Sequence, residues 1–160
     1  MENDPGSWTY FLGDALEVTG GWRRDGATSE LIAERIPSEY ADAIVIMAGT
    51  NDIRFELPVE ELVSNVARIA DSVVVDSVII AAVPPEPVHP EAVRSANLAL
   101  AALAEARGWT WVDAWARYRH GGEWAPDGSP DGVHGTLASY RYAGATITDA
   151  VLRAADEQAR

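Results

Sequence analysis

The 160-residue chain contains no cysteine. A disulfide framework, a thiolate zinc site and a cysteine nucleophile are thereby excluded. Basic residues are few: 12 Lys and Arg against 25 Asp and Glu leave a formal net charge of −13. Nucleic acid is a poor partner for such a chain, because phosphate binding needs a basic face, and acidity of this kind commonly serves solubility. Long hydrophobic runs are also missing. The longest, near residues 73–83, is broken by Asp76 and Ser77 and is too short to span a bilayer, so no membrane partner is expected. The opening residues, Met1-Glu2-Asn3-Asp4-Pro5, are polar and acidic and unlike a signal peptide, which makes the cytoplasm the default location.

What is present reads as one globular domain over residues 1–160: 48% of the residues are hydrophobic and 23% charged, enough for a single core. Strand and helix signals alternate, the pattern of a parallel sheet covered by helices. Residues 8–16 (WTYFLGDAL) read as a short amphipathic helix and residues 17–22 as a strand. Residues 28–36 are helical by the spacing of Leu31, Ile32 and Ile36, and Pro37 ends them. The unbroken apolar runs 43–48 (AIVIMA) and 77–83 (SVIIAAV) suit strands covered on both faces. Between them, residues 58–73 form a helix with Leu62, Val66 and Ile69 as its stripe and Pro58 in its first turn. Residues 90–107 are a helix stopped by Gly108, 109–112 a short strand, 118–130 a loop and 136–157 the closing helix.

Three loops carry residues suited to chemistry. In Asp25-Gly26-Ala27-Thr28-Ser29, Gly26 makes a turn and Thr28 caps a helix; alternatively the Gly26 N–H, near a helix start, faces a developing anion. Gly49-Thr50-Asn51-Asp52 follows the AIVIMA strand, at the end where open parallel sheets bind ligands. Asn51 there is either an Asx turn or an uncharged, directional donor to an oxyanion. In Asp131-Gly132-Val133-His134, a separation of three residues lets the carboxylate reach the imidazole and hold it as a general base. A capping Asp beside a surface His, or a metal pair, are the other readings, although no further His or carboxylate stands at a convincing ligand spacing.

An oxyanion-type Gly, then GTND after a buried strand, then DxxH before the last helix, in that order, resembles the SGNH/GDSL hydrolase family over nearly the whole chain. The resemblance implies a flavodoxin-like three-layer α/β/α sandwich with a parallel sheet, acting on a small-molecule ester without cofactor or metal. It implies that Gly26 and Asn51 form the oxyanion hole, that His134 is the general base and that Asp131 orients it. The family also begins with a buried strand ending in Gly-Asp-Ser, whose Ser is the nucleophile. Gly13-Asp14-Ala15 imitates that segment, but Gly26 follows too closely to leave room for the usual intervening helix and strand. Residues 8–16 match the intervening helix instead, which places the first strand and its Ser upstream of Met1 and leaves secretion open.

Ser7 and Ser29 are the substitutes nearest the site, and both are better explained as helix-start residues. The leading expectation is therefore a serine hydrolase of carboxylic esters whose nucleophile is absent from this chain. The alternative is a catalytically inactive module binding a small or carbohydrate ligand, with Trp22, Trp111, Trp115 and Trp124 as stacking surfaces. Metal-dependent hydrolysis through Asp131 and His134 is the third reading. Oligomeric state has no signature in the sequence.

Overall fold

The computed structural model describes residues 6–38 and 40–160; the polar opening stretch, residues 1–5, and Glu39 lie outside the described residues. Two apolar runs make the frame. β1 (Tyr40–Ile46) and β2 (Val74–Ala81) pair in parallel, with Ala43 opposite Ser77 and Ile46 opposite Ile80. β3 (Thr110–Val112) adds in parallel on the other side of β2, with Ile80 opposite Trp111, giving the order β1-β2-β3.

Alternation along β2 divides the core into two. Ile79 and Ala81 point to one face, where they meet Val112, Trp115, Ala143 and Ile147. Ile80 points to the other, against Leu62, Val66, Ile69, Val93 and Leu100. This is the period of two that a strand imposes on its side chains. Burying Ile79 and Ile80, 0% and 1% exposed, contributes roughly 1.5–3 kcal/mol for each side chain.

The helices supply the outer layers. α3 (Val59–Asp71) presents Leu62, Val66 and Ile69 at helical spacing, and α4 (Pro90–Arg107) lies beside it, closed by Gly108 in the left-handed conformation. α1 (Ser29–Arg35) is started by Thr28, whose hydroxyl accepts the Leu31 N–H, and packs on α3. α5 (Leu137–Gln158), capped by Thr136, covers the opposite face. The result is the expected α/β/α arrangement around a parallel sheet.

Four expectations are corrected. Residues 8–16 form a 3-10 helix only over Trp8–Phe11, because Gly13 turns left-handed at φ 75° and ends the winding. That short helix lies tight on α5: a Cβ on Gly144 would stand 2.7 Å from the Trp8 and Phe11 carbonyl oxygens. Residues 17–22 are not a strand; residues 17–21 are exposed and irregular. Among the described residues no strand lies beside them, and an unpartnered strand gains no ladder hydrogen bonds to offset its ordering. Among the described residues β1 likewise has a ladder partner only in β2, and its Ala43, Ile44 and Val45 are half-buried where full cover was expected. Finally, the 118–130 loop contains a small antiparallel pair, β4 (Arg119–His120) with β5 (Glu123–Trp124).

Among the described residues no helix is long and apolar enough to cross a membrane.

Candidate active site

The carboxyl ends of β1 and β2 open into a cleft of about 890 Å3, within the size range of small-molecule sites. Gly26, Asn51 and His134 all line it, although they lie in three separate loops. Each is placed by a distinct local device.

Asn51 belongs to a helix the sequence reading missed. Where an Asx turn was one alternative, Thr50–Arg54 winds one helical turn, α2, directly after Gly49. Gly49 has φ 123°, and a Cβ on it would stand 2.8 Å from Val83 Cγ2 and 3.0 Å from Leu62 Cδ2. Only glycine satisfies both the backbone and the space. Asn51 Nδ2 donates one hydrogen to the Ala27 carbonyl at 2.8 Å, which ties it to the Gly26 loop and leaves its second hydrogen for another acceptor.

The neighbouring residue makes a second tie. Asp52, 2% exposed, accepts the Ser29 N–H at 2.9 Å and 3.2 Å on its two oxygens and the Ser29 hydroxyl at 2.5 Å. Asn65 Nδ2 donates to the same hydroxyl oxygen at 3.0 Å, and Arg68 donates to Asn65 Oδ1 at 2.9 Å. The buried side-chain oxygens of Ser29 and Asp52 thus all find partners, as burial requires. Residues 51 and 52 together hold residues 27 and 29, so the Gly26 loop and Asn51 are braced against each other. Ser29 is consumed by this network at 0% exposure and does not face the cleft.

The Asp131–His134 segment closes as the spacing suggests, its carboxylate bonding both the turn's backbone and the His134 ring. Asp131 Oδ1 accepts the backbone N–H groups of Val133 at 2.9 Å and His134 at 2.8 Å, closing the turn. Oδ2 lies 2.8 Å from His134 Nδ1. With Nδ1–H donating to the carboxylate, the ring carries its lone pair on Nε2. The His134 ring hydrogen bond, then the backbone N–H groups of His134 and Val133, hold the Asp131 carboxyl well below the usual carboxylate range. Ser129 Oγ accepts the Gly132 N–H at 2.8 Å, and Trp124 Nε1 donates to the Gly132 carbonyl at 3.1 Å, fixing the turn against the cleft wall. Among the described residues no third His, Asp or Glu joins Asp131 and His134 in a metal-binding group.

Of the four tryptophans named as stacking surfaces, two reach the cleft, and Trp8 lines it as well. Trp124 and Trp115 stand edge to face at 5.4 Å and 81°, and Trp115 is itself fixed by its Nε1 bond to the Ala82 carbonyl at 3.1 Å. Trp111 lies instead in the core, and Trp22 is not among the lining residues. Ser7 also lines the cleft, but its hydroxyl is paired with Thr9, accepting the N–H at 3.3 Å and meeting Oγ1 at 2.8 Å. Among the described residues no serine hydroxyl is hydrogen-bonded to His134. A second cavity, about 290 Å3, lies between α2, α3 and α4, where Ile53, Leu62 and His89 line it.

The model of the GDSL-like lipase/acylhydrolase family matches residues 2–142. No curated protein matches the chain. Among solved structures, a GDSL-like lipase from Bacteroides thetaiotaomicron VPI-5482 is similar at TM-score 0.69 and 24% identity, over 81% of this chain and 73% of that one. A carbohydrate acetylesterase from Sinorhizobium meliloti superposes at TM-score 0.63 and 19% identity, over 92% of this chain and 85% of that one. An aryl esterase from M. smegmatis gives TM-score 0.60 and 18% identity, over 98% and 86%. At such identities these likenesses establish the fold.

Proposed function

The chain belongs to the GDSL-like lipase/acylhydrolase family, and on that premise we propose that its cleft is one domain's site for hydrolysis of small carboxylic esters. The observation that carries this reading is the 2.8 Å contact between Asp131 and His134 Nδ1, in a cleft that His134 shares with Gly26 and Asn51. A serine hydroxyl attacks the ester carbonyl carbon while His134 Nε2 takes its proton. Asp131 stabilises the resulting imidazolium. The negative charge on the carbonyl oxygen falls to the Gly26 N–H and the second hydrogen of Asn51 Nδ2, each such donor worth about 3–4 kcal/mol in the transition state. His134 then returns the proton to the departing alkoxide, and water, deprotonated by His134, attacks the acyl-enzyme to release the acid.

The serine is supplied by a strand that pairs with the outer edge of β1. That edge has no ladder partner among the described residues, and it adjoins the cleft. The test is p-nitrophenyl acetate hydrolysis and fluorophosphonate labelling of a chain extended upstream in frame. Turnover and a labelled serine, both lost in His134→Ala, are expected. An extended chain that neither turns over nor takes label refutes the reading.

A second reading keeps the cleft and discards the reaction: a binding module for a small or carbohydrate ligand. The partly exposed Trp124 at the cleft wall, backed by the buried Trp115, favours it, since an aromatic face can bind a flat ligand. It requires ligand binding by an extended chain that remains catalytically silent.

A further inference from the structure

The cleft differs in charge from the molecule around it. The chain carries a formal net charge of −13, and all 12 of its cationic Lys-or-Arg positions are arginine. Yet the cleft is lined by Arg23, Arg24 and Arg54, with Asp25 as the one carboxylate among its lining residues. Other arginines are spent on partners: Arg94 on Glu91, Arg107 on Asp71 and Arg119 on Asp113. Arg24 and Arg54 are exposed and have no carboxylate partner among the described residues.

Their positions are specific to the oxyanion side. Arg24 stands two residues before Gly26, in the turn whose Ala27 N–H returns to the Arg24 carbonyl at 3.1 Å. Arg54 follows Asn51 by three residues on α2, so their Cβ atoms lie about 5–6 Å apart along one helix face. Both arginines therefore line the cleft beside Gly26 and Asn51, on the wall those two residues share. A guanidinium in a cleft binds a carboxylate or phosphate with directed, charge-assisted hydrogen bonds.

We infer that the cleft selects esters whose acyl chain carries an anionic group, a carboxylate or phosphate, a few bonds beyond the scissile carbonyl, with Arg24 and Arg54 as its specificity-determining residues. This rests on the reading of the cleft as an ester site. A neutral substrate would leave these two cleft cations without a counter-charge. The surrounding acidic surface would repel such anionic esters, so the arginines also supply the local attraction that admits them.

The experiment compares monophenyl glutarate with its methyl ester, in which a small neutral ester replaces the free carboxylate. Binding to the 160-residue chain is followed by tryptophan fluorescence in 20 mM salt. The anionic ester is expected to bind about tenfold more tightly. The preference should fall to within about threefold at 0.5 M NaCl, because exposed charges are screened, and to near unity in Arg24→Ala/Arg54→Ala. Free glutarate or inorganic phosphate should compete, the stronger competitor naming the group. Equal binding of the two esters overturns the inference, as does a preference that survives the double substitution or competition by neither anion. The two readings fail separately. An extended chain that hydrolyses both esters equally well sinks this inference and leaves the esterase standing; selective binding without turnover sinks the esterase alone.

Discussion

Asp52→Ala removes the acceptor at the centre of the buried network, and its cost follows from the geometry. Ser29 is 0% exposed and gives Asp52 both its N–H, at 2.9 Å, and its hydroxyl, at 2.5 Å. Without the carboxylate, two buried donors lose their partner. Hydrogen bonds to a charged group contribute about 1.5–3 kcal/mol, and an orphaned buried donor costs about 1–3 kcal/mol. A loss of roughly 3–5 kcal/mol is expected, a large share of the 5–15 kcal/mol that ordinarily holds a domain together. Asp52→Asn retains one acceptor oxygen and should cost about 1–2 kcal/mol.

Urea unfolding read by tryptophan fluorescence measures both, since Trp115 is buried at 1% exposure. With a slope of about 2 kcal/mol/M, Asp52→Ala should lower the midpoint by roughly 1.5–2.5 M. Ser29→Ala removes the hydroxyl from the other side, and the double variant should cost less than the sum of the singles by about 1 kcal/mol or more. A midpoint for Asp52→Ala within about 0.3 M of the parent, or strict additivity in the cycle, would refute the account of this network.

Two further predictions concern the site's loops. Asp131 is held below the ordinary carboxylate range by His134, so the folded protein keeps it ionised where an unfolded chain binds a proton near pH 3.9. Its stabilising contribution is complete above about pH 5 and diminishes as pH falls through the unfolded value toward the folded one. Carbon-13 NMR should therefore show the Asp131 carboxyl without a midpoint between pH 3 and 6; one near 4 contradicts the contact. Gly49→Ala forces a Cβ to 2.8 Å from Val83 at φ 123°, and should cost about 2–5 kcal/mol. A calorimetric Tm lowered by less than about 2 °C would show that the β1–α2 corner yields more easily than its packing indicates.

Much of the scaffold was legible in the sequence because its causes are local. The runs containing Ile46 and Ile79-Ile80 declare strands by being apolar throughout, and Thr28, Thr136 and Gly108 mark helix ends by their capping chemistry. The DxxH spacing closes within a single turn, so Asp131 and His134 were also readable. Residues 17–22 show the limit: Val18 and Trp22 give a strand-like composition, but a strand exists only with a neighbour to bond. The Ser29–Asp52–Asn65–Arg68 network is longer-range still, joining positions up to 36 apart in a way that no window of sequence displays. Arg54 was passed over for a smaller reason. Once Thr50–Arg54 is known to be helical, its place one turn beyond Asn51 follows at once.

The two sides of the cleft are built to different stiffness. On one side, the Ser29 amide, buried at the start of α1, is bonded to a buried carboxylate, so deuterium reaches it only when the fold opens broadly. On the other, the Val133 and His134 amides are bonded at the surface, where a brief local opening suffices. The donor wall is a fixed anvil and the histidine turn is the compliant jaw. If the cleft takes esters as proposed, differences in ligand bulk would be met by the 129–135 turn before the Ser29–Asp52 wall.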